Sequence, residues 1–167
     1  MKITLEDISI RTNLQAGDIG HVVLLHGLLY SKEYGYGIEF ESYVAGALHE
    51  FYTQYDPQKD KVWIAEHAGR MVGFLLLMHR ENNSSQLRFF CILKEYRGIG
   101  LGRKMMDMYM HFFKECGYSS SYLWTSGELH GAAALYGSYG FKLAEEKSSM
   151  NFGIKVTEQR YELKPGQ

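Results

Sequence analysis

The sequence predicts an α+β domain over residues 1–167, with a mixed, mostly antiparallel central sheet flanked by helices. Three observations carry that expectation. The apolar period switches between strand and helix spacing along the chain, giving the order β-α-α-β-β-β-α-β-α-β-β. Short polar turns at Ala68-Gly69-Arg70 and at Glu81–Ser85 separate successive apolar runs, as in hairpins. From Phe89 to Leu93 the chain is almost continuously apolar, as expected of a strand at the centre of a sheet covered on both faces.

Taken in order, Ile8–Leu14 reads as a short first strand. Gly17 and Asp18 open a helix whose apolar face holds Ile19, Val22, Val23, Leu25, Leu28 and Leu29. Tyr34-Gly35-Tyr36-Gly37 breaks it, since glycines there permit backbone angles that a helix does not use. A second helix is expected over Phe40–Tyr52, with Tyr43, Val44, Ala47, Leu48 and Phe51 inward. Strands follow at Val62–Glu66, Met71–His79 and Gln86–Leu93. After the glycine-rich stretch Gly98–Gly102, a helix buries Met105, Met106, Tyr109, Met110, Phe112, Phe113 and Cys116, with Gly117 as its stop. Ser121–Trp124 is a strand. The next helix spans Gly127–Tyr139, with Thr125 and Glu128 at capping-box spacing. A terminal hairpin pairs Lys142–Glu145 with Thr157–Leu163.

Composition removes several function classes. Lys and Arg number 18 against 19 Asp and Glu, a formal net charge of −1, so no field of one sign steers the chain to nucleic acid or to an anionic membrane. The longest apolar run, Phe74–Met78, is too short to span a bilayer, and no signal-peptide pattern opens the chain. The cytoplasm is the expected compartment. Cys91 and Cys116 have no metal-ligand spacing and read as reduced thiols, so no metal site is expected.

Function concentrates in Arg97-Gly98-Ile99-Gly100-Leu101-Gly102-Arg103, which joins a strand to a helix. Glycines there let the backbone approach an anion, and the free N–H groups and dipole of the following helix bind phosphate oxygens. Arg103 and Lys104 add positive charge at the same place. A dinucleotide fingerprint would need glycine at 103 and an acid near Ser119–Ser121, and neither is present. A Walker loop needs Gly-Lys-Ser/Thr, which Gly102-Arg103-Lys104 does not supply. The coenzyme A pyrophosphate and a plain glycine-rich turn remain.

The spacing Arg97-x-x-Gly100-x-Gly102 resembles the R/Q-x-x-G-x-G/A motif of GNAT acetyltransferases. Tyr136 with Gly140-Phe141 resembles their A-x-x-x-Y-x-x-x-G-F region, and Trp63–Glu66 and Met71–Phe74 resemble their second and third strands. Within that superfamily, Gln86-Leu87-Arg88, Leu123-Trp124-Thr125, Leu129-His130 and Gln159–Leu163 resemble the acetyltransferase half of MarR–GNAT fusion proteins. No winged-helix half is present, so a stand-alone or excised domain is expected. The resemblance implies the GNAT fold and acetyl-CoA as cosubstrate; Tyr34, Tyr36, Glu41 and Arg88 together suit a small-molecule, amino-acid-like amine acceptor, and a homodimer is the expected assembly. Lys94 stands where the family commonly has proline, and Ser126 where it often has asparagine; the second departure weakens the transfer of a pantetheine contact to Ser126.

By the same resemblance, the backbone of Phe90, Cys91 and Ile92 would hold pantetheine, and the phenol of Tyr136 would donate to the departing thiolate. Many relatives carry a glutamate base on the strand that here reads Gln86-Leu87-Arg88, and no acid stands there. Glu128, His130, Glu41 and His79 could serve through water. Tyr34, Tyr36 and Glu41 are expected at the acceptor site. Arg88 either anchors a substrate carboxylate there or pairs with a neighbouring helix. Two function classes stand: an N-acetyltransferase, and a non-catalytic acyl-CoA-binding regulatory module of the same fold.

Overall fold

The computed structural model describes residues 2–166. Its elements are β1 (Ser9–Arg11), α1 (Asp18–Tyr34), α2 (Ile38–Thr53), β2 (Lys61–His67), β3 (Arg70–Arg80), β4 (Ser84–Ile92), α3 (Leu101–Glu115), β5 (Ser120–Ser126), α4 (His130–Ser138), β6 (Lys142–Ser149) and β7 (Val156–Leu163). The strands form one seven-stranded sheet in the order β1-β2-β3-β4-β5-β7-β6. Every pairing is antiparallel except β4 with β5, which run parallel.

The sheet separates two apolar layers. On one face α1 and α2 cover Val62, Ile64, Phe74, Leu76 and Met78, and on the other α3 and α4 cover Trp63, Ala65, Leu75, Leu77 and Leu87. Successive residues of β2 thus alternate between cores, as strand geometry requires, and β3 is buried from Met71 to Met78.

Three elements depart from the sequence expectation. β1 is shorter than Ile8–Leu14, because Arg11 turns to make two 2.7 Å contacts with Asp18 at the start of α1 and a third with Glu66 at 2.8 Å. The Thr125/Glu128 capping box does not form. Leu129 is the N-cap, without a side-chain cap, and the chain turns first through Leu129 N–H to Ser126 C=O at 3.0 Å. β6 runs on to Ser149 as the edge strand, almost wholly exposed, its Glu145-Glu146-Lys147 charges guarding the edge. Leu28 and Tyr43, both expected inward, are 63% and 47% exposed.

Candidate active site

The parallel strands β4 and β5 pair only from Ser84 to Gln86 and from Ser120 to Tyr122, and beyond Gln86 they part. The register of β4 against β3 explains the divergence. Phe74 faces Cys91 and Leu76 faces Arg88, so Phe89 and Phe90 both lie opposite the single residue Leu75. This is a β-bulge, and Phe89 takes the extra residue at φ +56°. The bulge bends β4 away and leaves its former β5 edge without a strand partner. A cleft of about 660 Å³ fills the gap.

Most of the residues singled out from the sequence meet at this cleft. Arg88, Phe90, Cys91 and Ile92 line it from β4, Arg97, Gly98 and Gly102 from the glycine loop, Ser126 and Tyr136 from β5 and α4, and Tyr34 and Tyr36 from the helix break. Six do not line it. Glu41 is held against α1, its carboxyl group over Gly27, so it is removed as an acceptor-site acid. The Leu101 side chain is core, 1% exposed, and Ile99 packs against the same core. Arg103 lies over the Tyr139 ring, 5.9 Å from its centroid, and Lys104 is exposed. Gly100 is backbone scaffold, the N-cap of α3. Among the bases considered, Glu128 and His130 line the cleft, whereas His79 bonds to Asp60 at 2.8 Å and lines a different cavity.

The loop has the form an anion site needs. Gly98 and Gly100 adopt φ +77° and +90°, conformations natural to glycine, and Gly100 is the N-cap of α3 with no side-chain cap. The first intrahelical bond runs from Lys104 N–H to the Gly100 carbonyl at 3.0 Å, so the N–H groups of residues 101–103 lie ahead of it. Arg97 is fixed beside them, its Nε donating to the Ile92 carbonyl at 2.9 Å and its Nη1 pairing with Glu33 at 3.0 Å.

At the inner end, Tyr136 is 5% exposed, its ring 6.3 Å from Phe90 and 6.1 Å from Phe141. No hydrogen bond to its hydroxyl is present among the described residues. Burial raises its pKa well above the ordinary phenol value, so it stays protonated and able to donate. Arg88 Nη2 donates to Tyr43 Oη at 2.7 Å, and Nη1 lies 3.6 Å from Glu50 on α2. The helix pairing, one of the two roles foreseen for Arg88, is thus the one formed. Ser126 Oγ and Tyr36 Oη are 2.6 Å apart.

Among the lining residues that escaped the sequence reading are His26, Tyr30, Phe152 and Glu158. For two of them a signal existed, since His26, Tyr30 and Tyr34 recur every fourth residue and form one stripe of rings on α1. His26 is 2% exposed, and its Nδ1 lies 2.9 Å from the Val22 carbonyl, so Nδ1 carries the proton and Nε2 is left without a partner. Burial lowers the His26 pKa from 6.5 to about 4, against the smaller opposing effect of the Val22 bond. Between those values the unfolded chain holds a proton that the folded chain does not. Stability therefore falls as pH drops through that window, by about 3 kcal/mol in total from this group. Melting temperature followed from pH 7 to pH 4 should show the fall, and His26→Gln should flatten it; equal slopes would remove His26 as the cause.

Residues 29–141 match the family model described as acetyltransferase (GNAT) family. The N-acetyltransferase YjgM of Escherichia coli (strain K12) is 33% identical over 116 residues, covering 67% of this chain and 70% of that protein. N-acetyltransferase family 8 member 3 of Rattus norvegicus is 34% identical over 89 residues, 50% of this chain but only 39% of that protein. Among solved structures, a GNAT family acetyltransferase of Staphylococcus aureus superposes with TM-score 0.72 at 20% identity, covering 93% of this chain and 99% of that one. One from Elizabethkingia anophelis with acetyl-CoA bound gives 0.66 at 14% identity, covering 95% and 99%. Those two likenesses speak to the fold, and the fold is that of GNAT acetyltransferases: a mostly antiparallel seven-stranded sheet with four helices. With the family model spanning more than half of its residues, the chain belongs to the GNAT acetyltransferase family.

Proposed function

We propose that the chain is an N-acetyltransferase that moves an acetyl group from acetyl-CoA to the primary amine of a small molecule, in the cleft between β4 and β5. The observation that carries this reading is the splay itself: a glycine loop with an uncapped helix start at one end, an unpaired strand edge along one wall, and a buried neutral phenol at the other end. The residues present fit the cosubstrate. The uncapped N–H groups of residues 101–103 suit a diphosphate, and space is open around Gly98. The free edge of β4 over Phe90–Ile92 suits the amides of pantetheine, and Ser126 stands across from it. Acetyl-CoA, when bound, supplies the thioester. The acceptor enters past Tyr34 and Tyr36; as its amine nitrogen, in the neutral form, bonds to the acetyl carbon and the carbon–sulfur bond breaks, Tyr136 would donate its phenolic proton to the leaving sulfur, and the proton the amine loses restores the phenol. The finer likeness to the acetyltransferase half of MarR–GNAT fusions belongs to this same reading and rests on the segments already quoted.

The stretch Gln86-Leu87-Arg88 on the cleft wall carries no acid, which favours a second reading, a non-catalytic acyl-CoA-binding module. Thermal shift with acetyl-CoA, NAD and ATP, followed by thiol release across amino acids, polyamines, aminoglycosides and peptides, tests both. Stabilisation by acetyl-CoA alone, with amine-dependent thiol release, is expected. Stabilisation without release favours the module, and stabilisation by NAD instead overturns both.

A further inference from the structure

The acceptor end of the cleft is walled by rings and edged by carboxyl groups. Tyr30 and Phe40 lie 4.7 Å apart between centroids, and Phe152, from the β6–β7 turn, lies 5.2 Å from Tyr36 and 5.0 Å from Phe40. Such a wall favours an apolar body and places ring faces where a cation is attracted.

Glu158 supplies the charge. It pairs with Ser126 across β5 and β7, and cross-strand partners share one face of a sheet, here the face on which Ser126 meets Tyr36. The Glu158 Oε2 atom is shielded from solvent and has no hydrogen-bond partner. The two strand cations beside it contact other groups, although the Nε atom of Arg160 is itself buried without a partner. Lys147, its register partner on β6, sits over the Trp124 ring at 4.6 Å, and Arg160 pairs with Glu162 at 3.1 Å. Glu128 lines the same region, and both acids, after burial, push the Tyr36 phenol upward, so both lie within electrostatic reach of its hydroxyl. A buried carboxyl oxygen left unpaired is costly, and a donor brought by a ligand would relieve the cost. Among the described residues, neither guanidinium that lines the cleft is free for a ligand carboxylate: Arg88 is committed to Glu50 and Tyr43, and Arg97 to Glu33.

We propose that Glu158, supported by Glu128, receives the ammonium group of the acceptor, and that the acceptor is a primary amine on an aromatic or other apolar body with no carboxylate. The inference deepens the transferase reading and rests on it for the identity of the acceptor site. It removes the amino-acid-like acceptor that a free Arg88 would have favoured.

Binding to the cofactor-free chain, read by quenching of Trp124 and tyrosine fluorescence, tests it. Three probes of one shape serve: 2-phenylethylamine, 2-phenylethanol, which lacks the ammonium group, and L-phenylalanine, which adds a carboxylate. The amine should bind about tenfold or more tightly than either of the others, the ratio expected for one charge-assisted hydrogen bond. Glu158→Gln should remove the preference over the alcohol while leaving acetyl-CoA binding within about twofold. Equal binding of amine and alcohol by the wild type, tighter binding of L-phenylalanine, or no binding of any probe would overturn the proposal, whatever the variant does. Failure of acetyl-CoA to bind, with the amine preference intact, would instead sink the transferase reading and leave a cation site.

Discussion

Gly100→Asp is expected to weaken acetyl-CoA binding by about a hundredfold while the fold survives. Position 100 has φ +90° and ψ 1°, and an added Cβ would meet only Leu5 Cδ2, at 3.7 Å. The substitution therefore clashes with nothing, and aspartate tolerates the left-handed region better than most residues. Its carboxylate at an N-cap would accept from the free N–H groups of the first turn, offsetting the backbone strain. That same carboxylate takes the donors a diphosphate needs and repels it. Two like charges about 5 Å apart at a protein surface cost about 3 kcal/mol, on the order of a hundredfold in Kd. Calorimetric titration should show the loss, with melting temperature little changed. Gly100→Asn, uncharged at the same place, should lose less. Unaltered binding in the Asp variant would move the anion site away from α3.

Tyr136→Phe should lower kcat by about a hundredfold and leave KM for acetyl-CoA within about twofold. The Phe ring keeps the contacts with Phe90 and Phe141, so packing is preserved. What disappears is a proton donor whose pKa burial holds high, and a donor to developing thiolate charge acts in the transition state rather than in substrate binding. Equal losses in kcat and in melting temperature would make Tyr136 a packing residue, and an unchanged kcat would remove it from the chemistry.

What the sequence could show followed from whether the signal was local. The β2–β3 hairpin, α3 and the glycine loop rest on period, turn residues and helix starts within a few positions, and each lies within about two residues of its expected bounds. The bulge in β4 was not legible, because Phe89-Phe90-Cys91-Ile92 reads as an unbroken apolar strand. Only pairing with β3 reveals that two residues stand against one, and Phe89 takes a positive φ without glycine's help. Glu158 was hidden for a similar reason. Along β7 it reads as one of four consecutive polar residues, Thr157–Arg160, and only the register Ser126↔Glu158 carries it to the cleft. Arg88 was visible as a charge on the central strand, yet its commitment to α2 depends on Glu50, 38 residues earlier in the sequence (88 − 50). Glu41 failed as an acceptor-site residue because a helix residue four past the break faces back toward α1.

The most direct measurement of the central claim is the balance of products. Wild-type chain is incubated with acetyl-CoA and 2-phenylethylamine, and free thiol and N-acetylated amine are counted together by thiol titration and mass spectrometry. Transfer predicts one amide for each thiol released, with neither formed by Tyr136→Phe above a small residual rate. Thiol without amide would mean hydrolysis rather than transfer. Acetyl-CoA that binds and is recovered intact, with this amine and with every other primary amine supplied, would contradict the account.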